Sequence, residues 1–225
     1  MKLVRFGAPG AEKPGLVDAA GAIRDLSAHV KDITGDTLSD AALDKLRRLD
    51  PKTLPEAPKG VRLGSPVGNV RNFMAIGLNY ADHAKEAGMP IPAEPILFMK
   101  ATTCIGGPND PLLLPPGSTK TDWEVELAIV IGTLARRVPV ERALDHIAGY
   151  CVANDVSERE YQLERGTQWD KGKGCDTFGP LGPWLVTADE VTDPQDLHLW
   201  LELNGQRMQD GNTSNMVFGC AELVS

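Results

Sequence analysis

The run Trp123-Glu-Val-Glu-Leu-Ala-Ile-Val-Ile131 constrains this chain more than any other segment. It reads as the strongest strand in the sequence, and in a strand alternate side chains share a face. Trp123, Val125, Leu127, Ile129 and Ile131 line one face. Glu124 and Glu126 begin the other, which continues as Ala128 and Val130. Both faces therefore read as buried, with two carboxylates side by side at the entrance. Two unpaired anions there would cost several kcal/mol or more, roughly, and a hard divalent cation removes that cost. Oxygen ligands of this kind suit Mg²⁺, Mn²⁺ or Ca²⁺. Taken alone, the pair favours the plainer reading, an exposed strand end whose glutamates are solvated or paired with Lys or Arg.

Asp155 shifts the balance. It follows a second buried strand at 149–154, where a third carboxylate would complete a ligand set. The same residue is also placed to cap a helix beginning at Val156.

Around this centre the chain reads as two regions. A small strand-rich segment covers 1–68, with short strands at 3–6, 15–18 and 22–26. It continues with a helix at 39–49 capped by Ser39, then a proline-marked linker at 50–65. A larger region covers 69–225. It has a buried run at 72–77, a polar helix at 79–87 and a strand at 96–99, followed by a long irregular stretch. A helix at 139–147 carries its proline at the start, and strands follow at 149–153, 184–186 and 197–203. Asn204-Gly205 is a hairpin turn signal. The last ten residues read as the start of an apolar helix with no stop signal, so the chain is expected to be a fragment.

Composition narrows the function classes. A net charge of -8 argues against nucleic-acid partners. No stretch has the length of a membrane span, and MKLVRFGAPG lacks the apolar core of a signal peptide. The four cysteines are dispersed and form no CxxC pair, which reads as reduced thiols in the cytoplasm.

Other chemistry-bearing residues are less specific. His83 and Glu86 sit three apart on one helix face, which suits an imidazole oriented by a carboxylate and equally suits two solvated side chains. The glycine-dense loop at 171–183 offers Lys171 and Lys173 as oxyanion stabilisers or as solvated lysines, and it lacks the order of a nucleotide loop. Lys100, at a strand end, has the same two readings.

Five motifs occur in order: Gly77-Leu-Asn-Tyr-Ala-Asp-His83-Ala-Lys-Glu86, Pro95-Ile-Leu-Phe-Met-Lys100, Asp122-Trp-Glu-Val-Glu126, Asn154-Asp-Val-Ser-Glu-Arg159, and Lys171-Gly-Lys-Gly174 with Phe178-Gly-Pro-Leu-Gly-Pro183. Together they resemble the fumarylacetoacetate hydrolase family, in its bacterial branch of acylpyruvate, diketo-deoxy-sugar-acid or ureidoglycolate-type enzymes. The resemblance implies a mixed α+β, β-rich fold with a β-roll core, and a homodimer. It implies Glu124, Glu126 and Asp155 as ligands of Mg²⁺ or Mn²⁺. It implies His83 and Glu86 as a water-activating dyad on a lid, and Lys173 as the stabiliser of developing negative charge. Lys100, Asn79 and Tyr80 fall near the substrate. The activity implied is hydrolysis of a C–C bond in a 2,4-diketo acid to release pyruvate or a related 2-keto acid. The alternatives are an isomerase, decarboxylase or lyase on the same site, or an inactive metal-binding relic. Family members carry a further Gly-Thr-Pro segment that closes the pocket; this sequence stops before it.

Overall fold

The computed structural model describes residues 1–86 and 88–225. Three short strands open the chain: β1 (Lys2–Phe6), β2 (Lys13–Val17) and β3 (Ile23–Asp25). Helix α1 (Asp40–Arg47) follows. Next come β4 (Phe73–Gly77), α2 (Ala81–Glu86), β5 (Ile96–Lys100) and the two-residue strands β6 (Ile105–Gly106) and β7 (Thr121–Asp122). The long strands β8 (Val125–Ile131) and β9 (Ile147–Asn154) flank α3 (Val140–Ala143). The chain continues through β10 (Ser157–Glu158), α4 (Asp170–Lys173), β11 (Gly179–Thr187), β12 (His198–Leu203), β13 (Gln206–Asn212) and α5 (Cys220–Val224).

The main sheet has seven strands, in the order β3-β2-β1-β11-β9-β8 with β6 added beside β11. The first segment therefore does not close on itself. Its strand β1 pairs antiparallel with β11, placing Leu3 opposite Leu185. The largest apolar cluster is built the same way. Leu3, Leu16, Leu26, Leu43 and Leu46 pack with Ala148 of β9 and Leu185 of β11. Each of these leucines contributes about 1.5–3 kcal/mol on burial.

Several expectations from sequence need correction. Residues 50–65 do not form a loose linker. Ala57 N–H donates to Ile23 O and Gly64 N–H to Arg5 O. Arg62 also grips Asp110 through two hydrogen bonds of 2.7 and 2.6 Å and reaches Glu12 at 2.9 Å. Strand β8 begins at Val125 rather than Trp123 and is half-buried on both faces, with Ile131 at 42% exposure. The helix at 139–147 is shorter, because α3 passes into a 3-10 turn at Leu144–His146. Ser39 does precede α1, yet its side chain makes no capping bond. Helix α2 is described over Ala81–Glu86, starting two residues later than expected; Ala87, included in the expected helix, lies outside the described residues.

The glycine-dense segment is only partly a loop. Lys173 ends the helical turn α4, and β11 begins at Gly179. Gly172 makes that turn possible, since a Cβ there would lie 2.4 Å from Glu158 O. Among the described residues, no helix is long and apolar enough to cross a membrane.

Candidate active site

The end of β9 and the start of β8 are laced together. Asp155 N–H donates to Glu124 O at 2.8 Å, and Glu124 N–H donates to Asn154 Oδ1 at 3.0 Å. Glu124 stands just before β8 and Glu126 is its second residue, the two-residue spacing of one strand face. Both line a cavity of about 560 Å³ together with Asp155, Lys173, His83, Glu86, Asn79 and Tyr80. The site residues expected from sequence thus share one cavity, with the exception of Lys100.

The carboxylates are held by a dense cation network. Lys173 Nζ, 2% exposed as a residue, donates to Glu124 Oε2 at 2.6 Å and to Asp155 Oδ2 at 2.8 Å. Arg159 Nη2 reaches Glu124 Oε1 at 2.6 Å and Asp122 Oδ2 at 2.8 Å. Lys100 Nζ donates to Asp155 Oδ1 at 2.5 Å, to Val156 O at 3.2 Å and to Lys173 O at 2.5 Å. All three donors of the Lys100 ammonium are spent, and the residue is 1% exposed. Its expected contact with substrate is corrected here: Lys100 lies beneath the site and fixes Asp155 and the backbone of Lys173.

Glu126 differs from its neighbours. No hydrogen bond or salt bridge reaches its carboxylate among the described residues. Burial pushes that carboxyl well above the usual range, the charges of Glu124 and Asp155 push the same way, and Lys173 opposes them. Among the described residues, no three His, Cys, Asp or Glu side chains are gathered tightly enough to hold a metal ion. Instead the Lys173 ammonium joins Glu124 to Asp155. The donor set still suits a hard divalent cation by its chemistry: three carboxylates, one of them with no hydrogen-bonded cation among the described residues.

The rest of the cavity is less committed. His83 and Glu86 lie on α2, both exposed and both lining the cavity, with no hydrogen bond between them. The Tyr80 hydroxyl is buried and unpartnered among the described residues. Burial drives its pKa upward, and the Glu126 charge adds to that. Asn79 spends its amide on the backbone of Phe218, donating to its carbonyl at 3.0 Å and accepting from its N–H at 2.9 Å. It shapes the wall more directly than it could bind a ligand.

Sequence reasoning missed several lining groups. Arg159 closes the Asn154–Arg159 motif, four residues beyond Asp155, and that spacing is the available signal. Trp169 packs edge-on against Phe98 at 5.6 Å and occupies space left by Gly77, where a Cβ would lie 2.4 Å from the indole. Met208, Gln209 and Asp210 come from β13, and Gln209 Oε1 accepts the Val125 N–H at 2.7 Å.

Fold and cavity define a strand-rich α+β protein with a carboxylate site closed by buried lysines. Residues 72–225 match the model of the fumarylacetoacetate (FAA) hydrolase C-terminal domain, and the chain belongs to that family. It is 64% identical over 225 residues to a protein of Burkholderia cenocepacia named only as a candidate hydrolase, covering all of this chain and 80% of that one. The fold is shared with 5-carboxymethyl-2-hydroxymuconate delta-isomerase from Mycobacterium smegmatis (TM-score 0.77, 35% identity, 100% of this chain and 80% of that one). It is shared equally with maleylpyruvate hydrolase from Sphingobium sp. SYK-6, whose structure holds manganese(II) and pyruvate (TM-score 0.82, 28% identity, 100% of this chain and 81% of that one).

Proposed function

We propose that this protein is a metal-dependent hydrolase that cleaves a C–C bond in a 2,4-diketo acid, releasing pyruvate or a related 2-keto acid. The observation that carries the reading is the Lys173 ammonium bridging Glu124 and Asp155 in the same cavity that His83 and Glu86 line.

Glu124, Glu126 and Asp155 would hold Mg²⁺ or Mn²⁺, which when bound supplies a Lewis acid for the carboxylate and keto oxygens of a 2-oxo acid. His83, with Glu86 one turn away to orient it, takes a proton from water. The water oxygen bonds to the distal carbonyl carbon, and the C–C bond between that carbon and the methylene breaks. The electron pair passes into an enolate on the pyruvate half. Lys173 stabilises that negative charge, and a proton then returns to the enolate carbon. The buried Tyr80 hydroxyl supplies a further donor to a substrate oxygen.

The test is a turnover screen of 2,4-diketo acids with Mg²⁺ or Mn²⁺, reading pyruvate release. Activity is expected to vanish with chelator, and Lys173→Met to lower kcat about 10²–10³-fold, the scale of losing one charge-stabilising donor. Full turnover after metal removal would refute the scheme. A second reading, isomerisation on the same site, is favoured by the delta-isomerase neighbour. It predicts substrate rearrangement with no pyruvate formed.

A further inference from the structure

An open concavity of about 460 Å³ lies outside the carboxylate site, between the end of β8 and α3. Leu134, Val138 and Pro139 give it apolar surface. Its other lining side chains are all basic: Arg136, Arg137, Arg142 and His146. No carboxylate lines it among the described residues, whereas Glu124, Glu126 and Asp155 line the main cavity.

Most arginines of this acidic chain are spent on a carboxylate, as Arg5 is on Asp32, Arg24 on Asp18 and Arg62 on Asp110. Arg136 and Arg137 are different. Neither guanidinium makes an ion pair or hydrogen bond among the described residues, and both side chains are exposed, so neither holds the fold together. Arg137 also sits at a φ of 53°, a left-handed conformation disfavoured for any residue with a Cβ. That bend buries Val138 while Arg137 stays on the rim of the concavity. Arg142 gives its Nε to Asp145 at 2.5 Å and keeps further donors. His146 faces Thr133 Oγ1 through Nδ1 at 3.2 Å, which leaves Nε2 for another partner.

Two unspent guanidinium forks side by side suit an oxyanion with more than two oxygens. A carboxylate is satisfied by one fork. A phosphoryl group offers three oxygens and about two charges, enough for both. The net charge of -8 disfavours a long polyanion but not one local phosphoryl group. The apolar lining suits an organic group attached to it.

We propose that this concavity is a second ligand site, which binds a small phosphate monoester through Arg136 and Arg137. It is independent of the oxo-acid chemistry above.

The test is calorimetric titration of inorganic phosphate and phenyl phosphate into the full chain, dialysed free of metal at low ionic strength. A pH of about 8 keeps both probes dianionic. Each is expected to bind saturably at one site, phenyl phosphate the more tightly. The double variant Arg136→Ala/Arg137→Ala is expected to weaken binding at least about tenfold, the scale of losing hydrogen bonds to a charged group. Arg48→Ala/Arg71→Ala, which removes two other unpaired arginines, should leave it unchanged. Leu134→Asp keeps every arginine and sets a carboxylate at a position 79% exposed, where it too should weaken binding without disturbing the fold. Dimethyl phosphate, with one charge, is expected to bind more weakly than inorganic phosphate. No saturable phosphate binding, or binding untouched by both the arginine double variant and Leu134→Asp, overturns the proposal. Equal or tighter binding of dimethyl phosphate overturns the monoester assignment.

Discussion

At the scale of single residues, Lys100 shows how the site is held. Its ammonium is removed from water, a cost met only by the three acceptors around it: one Asp155 oxygen and the carbonyls of Val156 and Lys173. Removing the ammonium leaves two buried carbonyls without a donor and Asp155 with one cation instead of two. Lys100→Ala is therefore expected to lower the unfolding free energy by about 3–5 kcal/mol, the usual cost of breaking a buried pair. Urea denaturation followed by circular dichroism measures it; a loss under about 1 kcal/mol would mean Lys100 holds nothing essential. Sequence could show that a lysine stands at the end of a strand. It could not show that the chain crossing above it offers three acceptors and that the side chain never meets the cavity. Glu124 and Glu126 were more legible, because strand alternation alone sends both the same way.

At the scale of elements, legibility follows length and pattern. Strands β1, β5, β8 and β9 announced themselves through runs of apolar and β-branched side chains. Asn204-Gly205 marked the turn of the β12–β13 hairpin, yet β13 itself reads Gln-Arg-Met-Gln-Asp-Gly-Asn and carries no strand signature. It is held by pairing with β12 rather than by its own composition. Strands β6, β7 and β10 have two residues each, too few for any periodicity. The proline-marked segment at 50–65 reads as a linker for a related reason: what anchors it is long-range. Arg62 clamps Asp110 through two parallel hydrogen bonds, and that guanidinium holds the Asp110 carboxyl below its ordinary 3.8. A depressed folded pKa means that the unfolded chain binds the proton more readily. The clamp's contribution is thus fully present above the ordinary value and is lost as pH falls through the depressed one. Asp110→Asn is expected to cost about 1–2 kcal/mol at neutral pH, a charge-assisted pair that is mostly sheltered from solvent. The gap between variant and parent should close as pH drops below about 4, read by thermal melts across that range. A gap that stays constant with pH would show that the carboxylate charge contributes nothing.

At the scale of the whole molecule, the sheet decides how the protein unfolds. Composition and the proline-rich stretch suggested a small unit at 1–68 beside a larger one, and each would then melt by itself. The hydrogen bonding points elsewhere. Strand β1 is sandwiched between β2 and β11, so the first segment's sheet is continuous with the strands that carry Glu126 and lead into Asp155. The side chains repeat the message, since Leu3 and Leu43 share one cluster with Ala148 and Leu185. Separating the two regions would expose Leu3 and Leu185, both at 0% exposure, and would leave β11 with an open edge. The second region keeps clusters of its own around Phe178, Tyr150 and Leu181, but it shares the largest one with the first, so unfolding one region is expected to unfold the other. Differential scanning calorimetry of the full chain should therefore show a single transition whose calorimetric and van't Hoff enthalpies agree. A chain lacking residues 1–68 should lose its near-ultraviolet circular dichroism and give no cooperative melt. Two resolved transitions, or a truncated chain that melts sharply, would show that the carboxylate site stands on a scaffold independent of the first three strands.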